Sequence, residues 1–123
     1  METPKERKNA RQRGNNAERA CAKAMSGVVV GRSKAVKIGS RGLESWVSVN
    51  CQQPPDVLAP GGFSFECKNT KLSRKVVKAV SQSVRNAPSG FEPYVWWYDR
   101  ESDSTYIICT KRVFLDMHGK GGK

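Results

Sequence analysis

The chain has 123 residues, 37% of them hydrophobic, and a formal net charge of +11, which suffices for one domain with one core. No apolar run approaches the ~18–20 residues of a membrane span and the N-terminus lacks a signal peptide's apolar stretch, so a soluble, cytoplasmic protein with no membrane partner is expected. Cys21, Cys51, Cys67 and Cys109 are scattered without a Cys-x-x-Cys pair and His118 is the only histidine, so neither a zinc site nor a disulfide framework is supported; reduced, mostly buried thiols are expected.

Residues 1–14 carry Lys5, Arg7, Lys8, Arg11 and Arg13 with almost nothing apolar, and read as a disordered basic arm. Residues 15–118 form the single domain. Asn15 or Asn16 can cap a helix running to about Met25, with Ala17, Ala20, Cys21 and Ala24 on one side, and Gly27 ends it. Val28–Val30 reads as a short strand, and residues 31–42 as a basic Gly/Ser-rich loop holding Arg32, Lys34, Lys37 and Arg41. Trp46–Val49 alternates like a second strand. The chain then breaks at Gln52–Pro55 before Asp56-Val57-Leu58, and Ala59-Pro60-Gly61-Gly62 makes a tight turn into a strand over Phe63–Lys68.

Ser73 can cap a helix through about Ala87, with Val76, Val77, Val80 and Val84 as an apolar stripe and Lys75, Lys78, Gln82 and Arg85 as a polar, mostly basic one. Tyr94–Tyr98 and Tyr106–Thr110 read as two further strands around a turn over Asp99–Ser104. Trp96 and Trp97 point to opposite faces. Thr110 can cap a last short helix, leaving residues 119–123 as a flexible tail. This order implies an α/β fold, a mixed central sheet flanked by helices.

The charge is uneven. Residues 1–41 hold 11 Lys/Arg against 3 Asp/Glu, and residues 42–123 hold 11 against 8. Such an excess fits a polyanion partner, because each neutralised phosphate releases counterions. A basic ribosomal or chromatin-type protein has the same balance.

Chemistry enters at Pro55-Asp56 and Phe65-Glu66-Cys67-Lys68. Phosphodiester hydrolysis uses a divalent ion, and Mg²⁺ prefers one or two carboxylates plus water and substrate oxygens. Asp56 and Glu66 are the candidate ligands. Side chains alternate along a strand, so Ser64, Glu66 and Lys68 share one face while Phe63, Phe65 and Cys67 share the other. Lys68 can then orient the attacking water and offset charge on the phosphate. The competing reading is an ordinary amphipathic edge strand with a surface Glu and Lys.

Joined to Gly14-Asn15-Asn16-Ala17-Glu18-Arg19, these residues resemble the PD-(D/E)XK (restriction-endonuclease-like) nuclease superfamily, and within it the archaeal and bacteriophage Holliday junction resolvases. The resemblance spans about residues 14–115. Val29-Val30-Gly31-Arg32-Ser33 is similar to the family's strand ending in Arg-Ser, Gln82–Pro88 to the Gln-containing second helix of phage members, and Thr105–Phe114 to their closing strand and turn. The stretch from Arg32 to Asp56 is longer than in the short archaeal members.

The resemblance implies Glu18, Asp56 and Glu66 as acidic catalytic residues and Lys68 as the catalytic lysine. It implies Mg²⁺, replaceable by Mn²⁺, held by Asp56, Glu66 and the Cys67 backbone carbonyl. Arg19 and Arg32 would face phosphate, with Arg11, Arg13, Lys34, Lys37, Arg41, Lys71, Arg74, Lys78 and Gln82 as further DNA contacts. The implied activity is resolution of four-way DNA junctions by paired nicks from a homodimer, in host cytoplasm if phage-encoded. Alternatives are a nuclease of the same fold acting on duplex or flap DNA, or a non-catalytic basic nucleic-acid-binding protein.

Overall fold

A computed structural model describes residues 3–39 and 43–119. The first helix, α1 (Pro4–Met25), begins well before the expected Asn15 or Asn16. Residues 4–14 are therefore helical, where an irregular arm was expected. Thr3 caps the helix by accepting from the Glu6 amide at 3.1 Å, while Pro4 opens the first turn, where its missing N–H costs nothing. Lys, Glu, Arg, Gln and Ala all favour helix, so these turns form without an apolar stripe to announce them. On the C-terminal half the buried residues are Ala17 and Cys21, whereas Ala20 and Ala24 are exposed, so the sheet-facing side is rotated from the one expected.

After α1 come β1 (Val28–Val29), β2 (Ala35–Ile38), β3 (Ser45–Ser48), β4 (Val57–Ala59), β5 (Phe63–Asn69), α2 (Val76–Asn86), β6 (Glu92–Asp99), β7 (Ser104–Ile108) and α3 (Lys111–Phe114), which continues as a π-helical turn over Leu115–Gly119. The main sheet is mixed, in the order β1-β4-β5-β6-β7. Strands β4 and β5 form the expected hairpin, antiparallel with Leu58 opposite Ser64. Strand β6 runs parallel to β5, which requires a crossover, and α2 supplies it. Part of the expected basic loop is instead β2, paired with β3 as a separate two-stranded ribbon. Its alternation, exposed Ala35 and Lys37 against buried Val36 and Ile38, lies hidden in Gly/Ser-rich surroundings.

Each face of the main sheet is covered. On one, Ala17 and Cys21 of α1 pack on Val57, Ala59, Phe65 and Cys67, with Trp96 partly buried beside them. On the other, α2 sets Ala79 against Val95 and Trp97, and the ribbon sets Val36 and Ile38 against Leu58 and Val30. Trp96 and Trp97 thus do face opposite ways. The apolar seam of α2 keeps only half of the valine stripe expected: Val76 and Val80 pack partly buried against the Ala79, Val95 and Trp97 cluster, but Val77 is 71% exposed and Val84 45%, while Ala79 and Ser83 are buried. A helix lying against bulky Trp97 needs small residues at the contact, and Ser83 satisfies its hydroxyl by donating to the Val80 carbonyl at 2.6 Å.

Thr110 caps α3 by accepting from the Val113 amide, as expected, whereas α2 starts at Val76 without a side-chain cap. Cys21 and Cys67 are buried as expected, but Cys51 is exposed. No described helix is long and apolar enough to cross a membrane.

Two glycines provide a test of this packing. A Cβ on Gly27, where α1 hands over to β1, would sit 2.5 Å from the Leu58 carbonyl oxygen, whereas one on Gly14, inside α1, would meet nothing within 4 Å. Gly27→Ala should therefore destabilise the fold by about 1–3 kcal/mol, and Gly14→Ala should stabilise it by about 0.5–1 kcal/mol. Thermal midpoints of the two variants against wild type check both signs.

Candidate active site

Asp56 lies one residue before β4, where the chain leaves the hairpin ladder. Its amide still donates to the Phe65 carbonyl at 3.0 Å, and its carbonyl accepts from the Val30 amide at 3.0 Å. Its side chain takes over where the ladder ends: Oδ2 accepts from the Cys67 amide at 2.8 Å. This bond anchors the carboxylate against the middle of β5. Glu66, the residue before Cys67, is 4% exposed and points to the α2 face of the sheet, where Asn86 Nδ2 donates to its Oε1 at 3.0 Å.

The two carboxyls form one electrostatic unit. Burial, then the charge of Asp56, pushes the Glu66 carboxyl from its ordinary 4.5 up to about 7, against opposing pulls from Asn86 and Lys68. Burial also raises Asp56, which the Cys67 amide, Lys68 and a hydrogen bond from Glu66 partly counter. Glu18 on α1 is half-buried, and burial followed by the charge of Asp56 raises its carboxyl too. The structure therefore brings Glu18, Asp56, Glu66 and Lys68 within electrostatic reach of one another.

The surrounding cleft, about 390 Å³, is lined by Gln52, Gln53, Pro54, Asp56, Glu66, Gln82, Arg85 and Asn86. A second groove holds Lys68 with Thr70, Lys75, Lys78, Ala79, Gln82 and Trp97. Gln82 borders both, so the polar stripe of α2 forms one wall of the site. Asn86 was not anticipated as a site residue. It lies four residues after Gln82, the spacing that puts two side chains on one helix face, and that spacing was the available signal.

The other expected DNA contacts are dispersed. Arg11 and Arg19 line a basic cleft along α1 with Lys8, Gln12 and Asn15. Arg13 is half-buried, and its carbonyl accepts from Asn69 Nδ2 at 3.2 Å. Arg32, Lys34 and Arg74 are exposed. Lys37 and Lys71 lie 3.6 Å and 3.3 Å from Glu44 and Glu101 in exposed pairs, which hold little energy and yield readily to phosphate. Arg41 lies outside the described residues, as do residues 120–123 of the expected tail.

Among the described residues, no group of three or more His, Cys, Asp or Glu side chains is placed to hold a metal ion. Mg²⁺ asks for less, one or two carboxylates with water and substrate oxygens filling the rest. Asp56 and Glu66 meet that requirement. A buried Glu66 carboxyl that feels the charge of Asp56 beside it is also a site that a divalent cation would relieve. No known protein family, curated protein or solved structure matches the chain.

Because the folded-state pKa of Glu66 lies above its unfolded value, the folded chain holds more protons than the unfolded one between about 4.5 and 7. In metal-free buffer its contribution to stability is intact below that window and is lost as pH rises through it. Glu66→Gln keeps the shape and removes the titration. Its thermal stability should match wild type near pH 4.5 and exceed it at pH 8, by up to about 3 kcal/mol. Identical pH profiles for the two proteins would show that Glu66 does not titrate in a strained site.

Proposed function

We propose that this chain is a Mg²⁺-dependent endonuclease of the PD-(D/E)XK type that cuts branched DNA, with four-way junctions as its substrate. One observation carries the reading: the buried Glu66 carboxyl and the half-buried Asp56 carboxyl lie together at the end of one β-hairpin, with Lys68 two residues further along the same strand face and cations of α2 along the cleft. A structural ion pair would match each carboxylate with a cation. Here like is set beside like, the arrangement expected where a metal ion is to supply the missing charge.

In this reading Asp56 and Glu66 hold Mg²⁺, with the Cys67 carbonyl between Glu66 and Lys68 on the strand as a third ligand. The ion would supply Lewis-acid polarisation of the scissile phosphate. Lys68 orients the attacking water and offsets charge as the phosphorane-like centre forms. Asn86 holds one oxygen of Glu66 and so sets the direction of the other. Gln82, Arg85 and Lys78 bind flanking phosphates from α2, and Arg11 and Arg19 extend the basic track along α1. Glu18 adds negative charge beside Asp56, which strengthens the site's demand for a cation.

Paired nicking requires two such sites, and a two-fold homodimer supplies them through one self-complementary contact. Strand β7 lies at the sheet edge and, with α3 and the turn after it, exposes Ile107, Phe114, Leu115 and Met117. Arg112 beside them is already engaged by Glu92 and Asp116. On a chain of charge +11, this is a face where a second copy meets little like-charge repulsion.

Asp56→Asn, Glu66→Gln and Lys68→Ala should each reduce Mg²⁺-dependent cleavage by at least about 10²–10³-fold while changing junction affinity less than about threefold, since affinity comes from Lys/Arg contacts to phosphate. Asn86→Ala should lower cleavage by a smaller factor and leave binding unchanged. Nicking of supercoiled plasmid and gel-shift titration measure the two quantities. Full activity in Asp56→Asn sinks the assignment, and a monomer by sedimentation at working concentration removes its two-site part.

A further inference from the structure

The ribbon has two unlike faces. Val36 and Ile38 point inward onto Leu58 and Val30, with Val47 partly buried beside them. On the outward face the register sets Lys37 directly opposite Trp46. Trp46 is 70% exposed, whereas Trp97 is 1% exposed and Trp96 is packed beside the α1 core. A tryptophan offers some 150–250 Å² for burial, and a fold that covers its other two indoles leaves this one open.

Its surroundings are cationic. Arg32 and Lys34 lead into β2 and Lys37 lies beside the indole, all three exposed. Glu44 touches Lys37 only in the exposed pair already described. The ribbon also leads into the site: β3 runs through Val49, Asn50 and Cys51 to Gln52 and Gln53, which line the cleft with Asp56 and Glu66. Gln52 follows Trp46 by six positions, so the indole's backbone lies at most about 22 Å from the cleft wall.

An open indole among lysines suits a nucleic-acid base and its flanking phosphates, because every base has a π-face and stacking tolerates any sequence. A continuous duplex offers no such face, since its bases already stack on one another. A branch point or strand end does. We propose that Trp46 stacks on an unstacked base where the duplex is interrupted, with Lys37 and Lys34 on the adjoining phosphates, and that this contact makes the protein prefer branched over continuous DNA. The proposal rests on the nuclease reading for its ligand, but concerns binding alone.

The test uses the full chain in EDTA, so that no strand is cut. Dissociation constants are measured by fluorescence anisotropy for a labelled four-way junction and for a continuous duplex of the same sequence and length. Trp46→Ala should weaken junction binding roughly 5- to 100-fold, the range of one stacked base, and duplex binding less than about twofold. Trp46→Phe should restore most of the junction affinity. Lys37→Gln should weaken both ligands alike and lower the salt slope by about one.

Equal losses on both DNAs, or none, overturn the proposal. A change in sedimentation with unaltered junction preference assigns Trp46 to a contact between copies and also overturns it. If plasmid nicking persists in either case, the nuclease reading survives. Failure of wild type to bind either DNA overturns both.

Discussion

The bond from the Cys67 amide to the Asp56 carboxylate ties the geometry of the candidate site to the backbone. A carboxylate at the end of a β-hairpin would ordinarily turn into solvent. Here it closes the ladder in place of a carbonyl, so its position is set by main-chain geometry and not by rotamer preference. Everything else at the site is referred to it: Glu66 precedes Cys67 on the strand, Lys68 follows it, and the parallel register with β6 sets Glu66 beside Val95 and Lys68 beside Trp97. The α2 crossover then covers this face and brings Asn86 to Glu66 and Gln82 to the boundary between the two grooves.

That anchoring carries an electrostatic cost that the chain does not relieve by itself. Burial raises the proton affinity of both carboxyls, the charge of Asp56 raises that of Glu66 further, and Glu18 adds to the same field. The chain has twice as many Lys and Arg as Asp and Glu, 22 against 11, yet among the described residues Lys68 is the one cation that shifts the pair. The cations instead line the approaches: α1, the ribbon and the exposed stripe of α2. This division suits a catalyst whose binding energy comes from phosphate contacts and whose chemistry waits on a bound cation.

The hairpin and its acids were legible because period-two alternation and a Pro-Gly-Gly turn are local signals. The fold class followed from the same strands. Four features were not legible, each for a physical reason. The first turns of α1 have helix-forming residues but no apolar stripe, so periodicity was silent on them. Strand β2 gains its partner from β3, and its Gly/Ser-rich flanks mask four alternating residues. In α2 the fully buried residues are Ala79 and Ser83, with Val76 and Val80 packed partly buried beside them, while Val77 and Val84 of the same expected stripe were left outside. Asn86 escaped notice because its only signal was the four-residue spacing from Gln82, which places it on the same helix face but does not reveal the carboxyl opposite it.

The central claim is that Asp56, Glu66 and Lys68 cut branched DNA with a bound divalent ion. The most direct measurement is cleavage of a labelled synthetic four-way junction beside matched duplex, flap and single-stranded controls, in Mg²⁺ and in EDTA. The account predicts paired, symmetry-related incisions of the junction in Mg²⁺, none in EDTA, and little cutting of the continuous duplex. Failure of Mg²⁺ to support cutting of any of the four substrates would contradict it outright, and equal cutting of junction and duplex would contradict its substrate.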